Sequence, residues 1–189
     1  MKEINIGNQI WMVDNLNIDH FQNGDIIIEA KSIKDWEDAD INSIPAWCHY
    51  DNNDKNGEIY GKLYNWHAVM DSRMLAPKGW HIPNDEEWET LSLYCGGNEL
   101  AGKKLKSSVG WDTNNGIDSF GFQGLPGGAR LWKFEFQSIG EYGCWWSSSE
   151  YNDFYSWHRL LISDYDLFGR VNHGGKGFGM SVRCVKDYF

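Results

Sequence analysis

Glycine breaks this chain so often that long helices are excluded from most of it. The 189 residues include 21 Gly, a residue that weakens helix and strand interiors and supplies the positive backbone angles of turns. Short strands and frequent turns are the expected result. Residues 111–130, WDTNNGIDSFGFQGLPGGAR, carry seven Gly and Asn in quick succession and read as loop. The composition is rich in aromatics, with 11 Trp, and poor in long aliphatic runs. A chain of this length buries a proper core. No linker, low-complexity tract or internal repeat interrupts it, so residues 1–189 read as one domain.

Local patterns place the elements. Residues 4–17, INIGNQIWMVDNLN, read as a hairpin turning at Gly7 and Asn8. Residues 20–46 read as a polar excursion with one buried strand at 26–28. A helix is expected over 60–71, where Tyr60, Leu63, Tyr64, His67 and Met70 fall near one face. The strongest local signal is PNDEEWETLSLYCGG at 83–97. Asn84 is the N-cap and Glu87 follows three residues later, a capping-box variant. Trp88, Leu91 and Cys95 share a stripe, and Gly96-Gly97 ends the helix. Strands are expected at 131–136, 143–147, 157–163, 168–172 and 179–186. Two helices and a strand-rich second half make an α+β domain.

The formal charge of −10 argues against a nucleic-acid partner and gives no attraction to an anionic membrane. No stretch reaches the roughly 20 apolar residues of a membrane span, so insertion is not expected. The opening MKEINIGNQIW lacks the apolar core of a signal peptide. Either the protein stays where it is made or a leader lies outside these residues. Cys48, Cys95, Cys144 and Cys184 show no CxxC spacing, which disfavours structural zinc, and sequence leaves their pairing open.

Catalytic signatures are missing: there is no HExxH, GxSxG or GxxxxGK[ST]. GGKGFG at 174–179 precedes a terminal strand rather than a helix, so it does not read as a dinucleotide loop. His67 and His81 sit inside packing motifs and read as structural. No cofactor is expected, with one calcium candidate to weigh. Asn52, Asp54 and Asn56 stand at alternate positions of a tight loop, with Glu58 beside them, as oxygen ligands for a hard cation would. Leu63 occupies the place of the closing bidentate Glu, which favours a plain Asx-rich turn.

Seven stretches occur in a fixed order along nearly the whole chain: GNQIWMVDNLN, WCHYDNNDKNGEIYGKLYNWHAV, APKGWHIPNDEEWETL, AGKKLKSSVGW, GFQGLPGGAR, GCWWSSSE and SVRCVKD. Together they resemble the Fibrobacter succinogenes major paralogous domain. The resemblance implies a C-type-lectin-like fold near the formylglycine-generating-enzyme type, on secreted or cell-surface bacterial proteins. It also implies a disulfide between Cys48 and Cys184, leaving Cys95 and Cys144 free. The copper-binding cysteine pair of the formylglycine-generating relatives has no counterpart here, and the EPN and WND signatures of calcium-dependent lectins are absent.

Domains of that fold, this family among them, serve as variable proteins of diversity-generating retroelements. There, error-prone copying at adenines rewrites a C-terminal segment, and Asn codons so altered cannot yield Lys, Glu, Gln, Met or Trp. Between 151 and 175, Trp157 is the sole residue of those five types. Strand side chains alternate faces, so Trp157, Arg159 and Leu161 would anchor the strand while His158, Leu160 and Ile162 point elsewhere. Family members tend to vary at that second set, and exposed Leu160 and Ile162 suit a binding face.

The resulting expectation is a non-enzymatic recognition domain with 151–178 as a diversified face. Its contact residues would be Tyr151, Asp153, Tyr155, His158, Leu160, Ile162, Asp164, Tyr165 and His173, above a core held by Trp145, Trp146, Trp157 and Val182. Tyr, Asp and His suit a protein partner at least as well as a glycan. The rivals are a structural or adhesive subunit of a surface assembly and a diverged oxidase.

Overall fold

A computed structural model describes residues 2–187. The first half runs β1 (Glu3–Ile6), β2 (Gln9–Met12), β3 (Ile28–Glu29), α1 (Ile33–Ile41), β4 (Ala46–Cys48), α2 (Asp54–Tyr60), β5 (Leu63–Tyr64), α3 (Trp66–Val69) and β6 (Trp80–His81). Then come α4 (Asp85–Tyr94), α5 (Asn98–Leu105), β7 (Gly127–Arg130), β8 (Phe136–Ile139), β9 (Tyr142–Glu150), β10 (Tyr155–Ile162), β11 (Phe168–Gly175) and β12 (Val185–Lys186). The class is α+β. The strands form three sheets: β1-β2-β12-β6, β11-β10-β9-β7-β8 and β3-β4-β5.

Where local chemistry dominates, the expected elements form. The β1–β2 hairpin turns at Gly7, whose φ is +62°. The capping box of α4 is complete: Asn84 Oδ1 accepts from the Glu87 amide, and the Glu87 carboxylate accepts from the Asn84 amide. Trp88, Leu91 and Cys95 are fully buried. His81 is wedged between two carboxylates, with Glu87 and Asp187 each at 2.7 Å. The Glu87 bond above all raises its pKa.

Elsewhere tertiary contacts overrule the pattern. The helix expected over 60–71 does not form. α2 ends at Tyr60, and Gly61 at φ +77° packs so tightly that an added Cβ would lie 2.8 Å from the Leu16 carbonyl. The Lys62 amide donates to Leu16 O and the Tyr64 amide to Met180 O, drawing this stretch into β5. Asn65 then caps the short α3. Of the buried strand expected at 26–28 only Ile27 is buried, Ile26 and Ile28 being exposed. The excursion also holds α1, started by a Ser32–Asp35 capping box. α5, not expected either, follows Gly97. The strand expected at 131–136 is instead a tight turn at Trp132–Phe134, with Lys133 and Phe134 both at positive φ, between β7 and β8. Of 179–186, only β12 is regular strand; Gly179, Met180 and Ser181 make single bridges to Arg130, Tyr64 and Trp145.

The core is rich in aromatic side chains and falls into three clusters. One surrounds Trp146, Tyr64 and Trp66. Another joins Trp11, Trp88, Trp145, Phe122 and Phe168 beneath α4 and α5. The third packs Trp36 and Tyr50. The cysteine pairing implied by the resemblance is corrected here. Cys48 lies in the Trp36 cluster and Cys184 in the Trp146 cluster, and both, like Cys95 and Cys144, are buried free thiols.

Candidate recognition surface

β10 is the central strand of the predicted segment, and its two faces have different fates. On one face Arg159 lies beside Trp145 of β9 and Arg170 of β11, and Leu161 beside Gly143 and Phe168. This face packs against α4 and α5. Arg159 is completely buried; its Nη2 donates to Glu89 Oε2 at 2.9 Å and its Nη1 to Asn98 Oδ1 at 3.2 Å, with Asp85 at 3.6 Å. Arg170 is fixed from outside by a two-pronged pair with Asp85.

The other face carries His158, Leu160 and Ile162, paired on β9 with Trp146, Cys144 and Tyr142. Gly169 and Val171 lie opposite Leu160 and His158 on β11. The expected division by parity therefore holds for position, but not for exposure. Leu160 and Ile162 are half-buried; His158 is only 7% exposed. The register of β10 with both neighbours shifts between Ser156 and His158, the extra residues lying on β9 and β11. Gly174 closes over the ring so tightly that an added Cβ would lie 2.8 Å from His158 Nδ1 and from Trp146. His158 thus sits edge-on between Trp146, at 6.1 Å, and His173, at 6.2 Å. His158 is corrected from a display residue to a packing residue.

Burial, and then the neighbouring His173, push the His158 pKa down to about 3. The ring is neutral when folded and takes up a proton below about 6.5 once unfolded, so its contribution is whole above that pH and lost as pH falls below it. The unfolding free energy from urea titrations should therefore drop between pH 6.5 and 5 by up to about 1.4 kcal/mol per pH unit from this group. His158→Phe should flatten that limb; an unchanged slope would assign the acid sensitivity to other groups.

The remaining predicted residues divide between two neighbouring regions. Tyr151 and Asp153 lie at the hairpin tip joining β9 and β10, with Tyr155 where β10 begins. Tyr151 contacts Trp157 edge-on at 5.4 Å. Trp157 is itself a correction, being half-buried beneath the Arg170 guanidinium at 4.0 Å rather than inside the core. Asp164 and Tyr165 are exposed in the turn before β11, where Thr113 Oγ1 donates to Asp164. His173 is exposed beside Val171.

A cleft of about 430 Å³ adjoins the hairpin tip, lined by Asp153, Phe154, Trp132, Phe178, Asp40 and His67. Phe154 and Trp132 are among the most exposed aromatic side chains of the chain, and Trp132 is braced edge-on by Phe178 at 5.0 Å. Sequence reasoning missed Trp132 because its turn resembles a strand in residue type. It missed Gly169 and Val171 although the same alternation marks them. Two larger clefts, about 580 and 640 Å³, lie around residues 69–82 and 18–24 and involve none of the predicted contact residues.

The candidate calcium loop is also corrected. Asn52 ends a short 3-10 turn, and residues 54–60 are helix, so the four side chains do not encircle one point from a loop. Asn52 and Asn56 turn their amides to the Lys31 and Tyr50 carbonyls, and Asp54 pairs with His49 at 3.1 Å. Among the described residues no three His, Cys, Asp or Glu side chains are grouped to hold a metal ion, and no helix is long and apolar enough to cross a membrane.

No curated protein and no solved structure matches the chain. The sequence model of one family does, over residues 4–186. The chain belongs to the Fibrobacter succinogenes major domain family.

Proposed function

We propose that this chain is a non-enzymatic recognition domain of C-type-lectin-like fold, presenting one face of β10 and β11 to a protein partner. The observation that carries the reading is the contrast between neighbours in sequence. Arg159, Leu161 and Phe168 are locked against α4 and α5, while Leu160, Ile162, Gly169, Val171 and His173 share a partly open face. Such apolar exposure beside a polar rim suits binding. Gly169 supports tolerance of change. Its φ is not in the left-handed region, and an added Cβ would meet neighbours at no less than 3.5 Å. Glycine in mid-strand is there without a steric need.

Thiol chemistry speaks against the oxidase alternative. Burial pushes Cys95 up to about 11 and Cys48 and Cys144 up to about 12, so the nucleophilic thiolate is suppressed. On this reading the segment is the variable region of a retroelement target. The direct test is genomic: a near-copy of the coding region for 143–187, differing at adenines and lying beside a reverse transcriptase. Its absence would remove the retroelement and leave a recognition domain of fixed sequence.

A paired substitution tests the tolerance itself. Gly169→Ala should keep or raise stability by up to about 1 kcal/mol, because a side chain fits and strand entropy improves. Gly174→Ala should cost about 1–3 kcal/mol through overpacking against Trp146 and His158. Chemical melts of the two variants decide it; equal losses would contradict an open face at Gly169.

A further inference from the structure

The GGKGFG stretch at 174–179 forms one wall of the cleft beside the hairpin tip. Its glycines let distant parts of the chain approach where a side chain would not fit. An added Cβ at Gly177 would collide with the Asp40 carboxylate, and one at Gly179 would lie 2.9 Å from the Trp36 ring. Main-chain bonds then tie the walls together. The Lys176 amide donates to Phe154 O at 3.3 Å, and the Trp66 amide at the start of α3 donates to Lys176 O at 2.9 Å. At the tip, Asn152 Oδ1 accepts from the Phe154 and Tyr155 amides. The β9–β10 tip, the glycine turn, α1 through Asp40 and α3 through His67 thus enclose about 430 Å³, within the range of small-molecule sites.

The lining combines aromatic surface with polar groups of both signs. Trp132 is 62% exposed and Phe154 75%, and Phe178 braces Trp132 edge-on at 5.0 Å. The face of an aromatic ring is electron-rich, so it packs on the C–H side of a sugar ring and leaves the hydroxyls free at the edge. The charges in the cleft cancel. His67 Nε2 donates to Asp40 Oδ1 at 3.2 Å, and Lys176 is paired with Glu150. Asp153 and Lys133 are exposed, one of each sign, and among the described residues neither side chain has a hydrogen bond or ion pair. Charge selects among occupants. A basic group would meet Lys133, and an acidic one would meet Asp153 and Asp40. A hydroxyl both donates and accepts, so a neutral polyol can serve carboxylate and ammonium at once.

We propose that this cleft is a saccharide site: a neutral oligosaccharide packs its C–H faces on Trp132 and Phe154 and shares its hydroxyls with Asp153, Lys133 and Asp40. The site goes beyond the protein-recognition reading and does not depend on it, since it lies off the Leu160–Val171 face. Asp40, His67 and Trp132 stand outside the segment 151–178, while Asp153 and Phe154 stand within it. The first group would set the class of ligand, and the tip would tune the choice among sugars.

The probes are neutral trisaccharides of glucose, mannose, galactose, xylose and N-acetylglucosamine, each at about 10 mM, above the Kd of a millimolar site. N-acetyl-lysine methylamide at the same concentration stands in for a basic side chain. In an NMR titration at least one trisaccharide should shift the Trp132 indole N–H and the Phe154 amide saturably, while the lysine derivative leaves both in place. Trp132→Ala and Phe154→Ala change exposed side chains, so both should melt as the parent chain does and weaken that sugar by about tenfold each. No shift of either signal by any of the trisaccharides would overturn the proposal. So would undiminished affinity in the two folded alanine variants, because the sugar would then lie elsewhere. A response to the lysine derivative as strong as to any sugar would overturn it too, and would make the cleft an anchor for a basic side chain. None of these outcomes touches the β10–β11 face, whose own test is Gly169→Ala against Gly174→Ala.

Discussion

Trp146→Ala should cost about 3–5 kcal/mol, whereas Leu160→Ser and Ile162→Ser should each cost about 1 kcal/mol. The three residues are close neighbours on the same face of the sheet. Trp146 is fully buried, and its indole donates to Tyr64 O at 2.8 Å, so alanine leaves both a large cavity and an unfilled acceptor. Leu160 and Ile162 lie half-open, and truncation removes only the part of each side chain that water does not already reach. Urea titrations of the three variants give the comparison directly. Cooperative melts for both serine variants, beside a severely weakened Trp146→Ala, would establish a fixed frame under a permissive face. A loss above about 3 kcal/mol for either serine variant would make that position part of the frame.

The contrast also marks what could be read without coordinates. α4 was legible because its signals lie within one turn: Asn84, Glu87 and the Trp88–Leu91–Cys95 stripe need no distant partner. The expected helix over 60–71 failed because its backbone bonds go to Leu16 and Met180, which no local period records. Alternation placed Leu160 and Ile162 correctly on the face opposite Arg159. It could not foresee that a register shift, with Gly174 closing over the ring, would bury His158. The Asx-rich stretch 52–58 failed for a related reason, since its amides serve backbone carbonyls and its second half continues as helix. Trp132 lay hidden because two successive residues of its turn adopt a left-handed backbone without glycine.

Lys106→Met should loosen the turn between β10 and β11 and lower stability by about 3 kcal/mol. Lys106 is completely buried, and its ammonium reaches the carbonyls of Asn114, Ile162, Ser163 and Tyr165 at 2.8–3.3 Å. An ammonium has three protons, so four acceptors must share them, and three of those acceptors belong to the turn itself. Burial pulls its pKa down, while Asp166 and Asp164 act to raise it. Methionine preserves much of the volume but leaves buried acceptors without a donor, each costing about 1–3 kcal/mol unless water enters. The loss should concentrate in that turn, because α5 and β10 keep their other contacts. Hydrogen exchange provides the reading: amides at 162–167 should exchange faster in the variant while those of α4 stay protected. Uniform acceleration would show that Lys106 supports the whole core. Local acceleration would show that the permissive strands are tied at this turn by a cation whose hydrogen bonds all go to main-chain oxygens, and such a tie is indifferent to side-chain identity at 162–165.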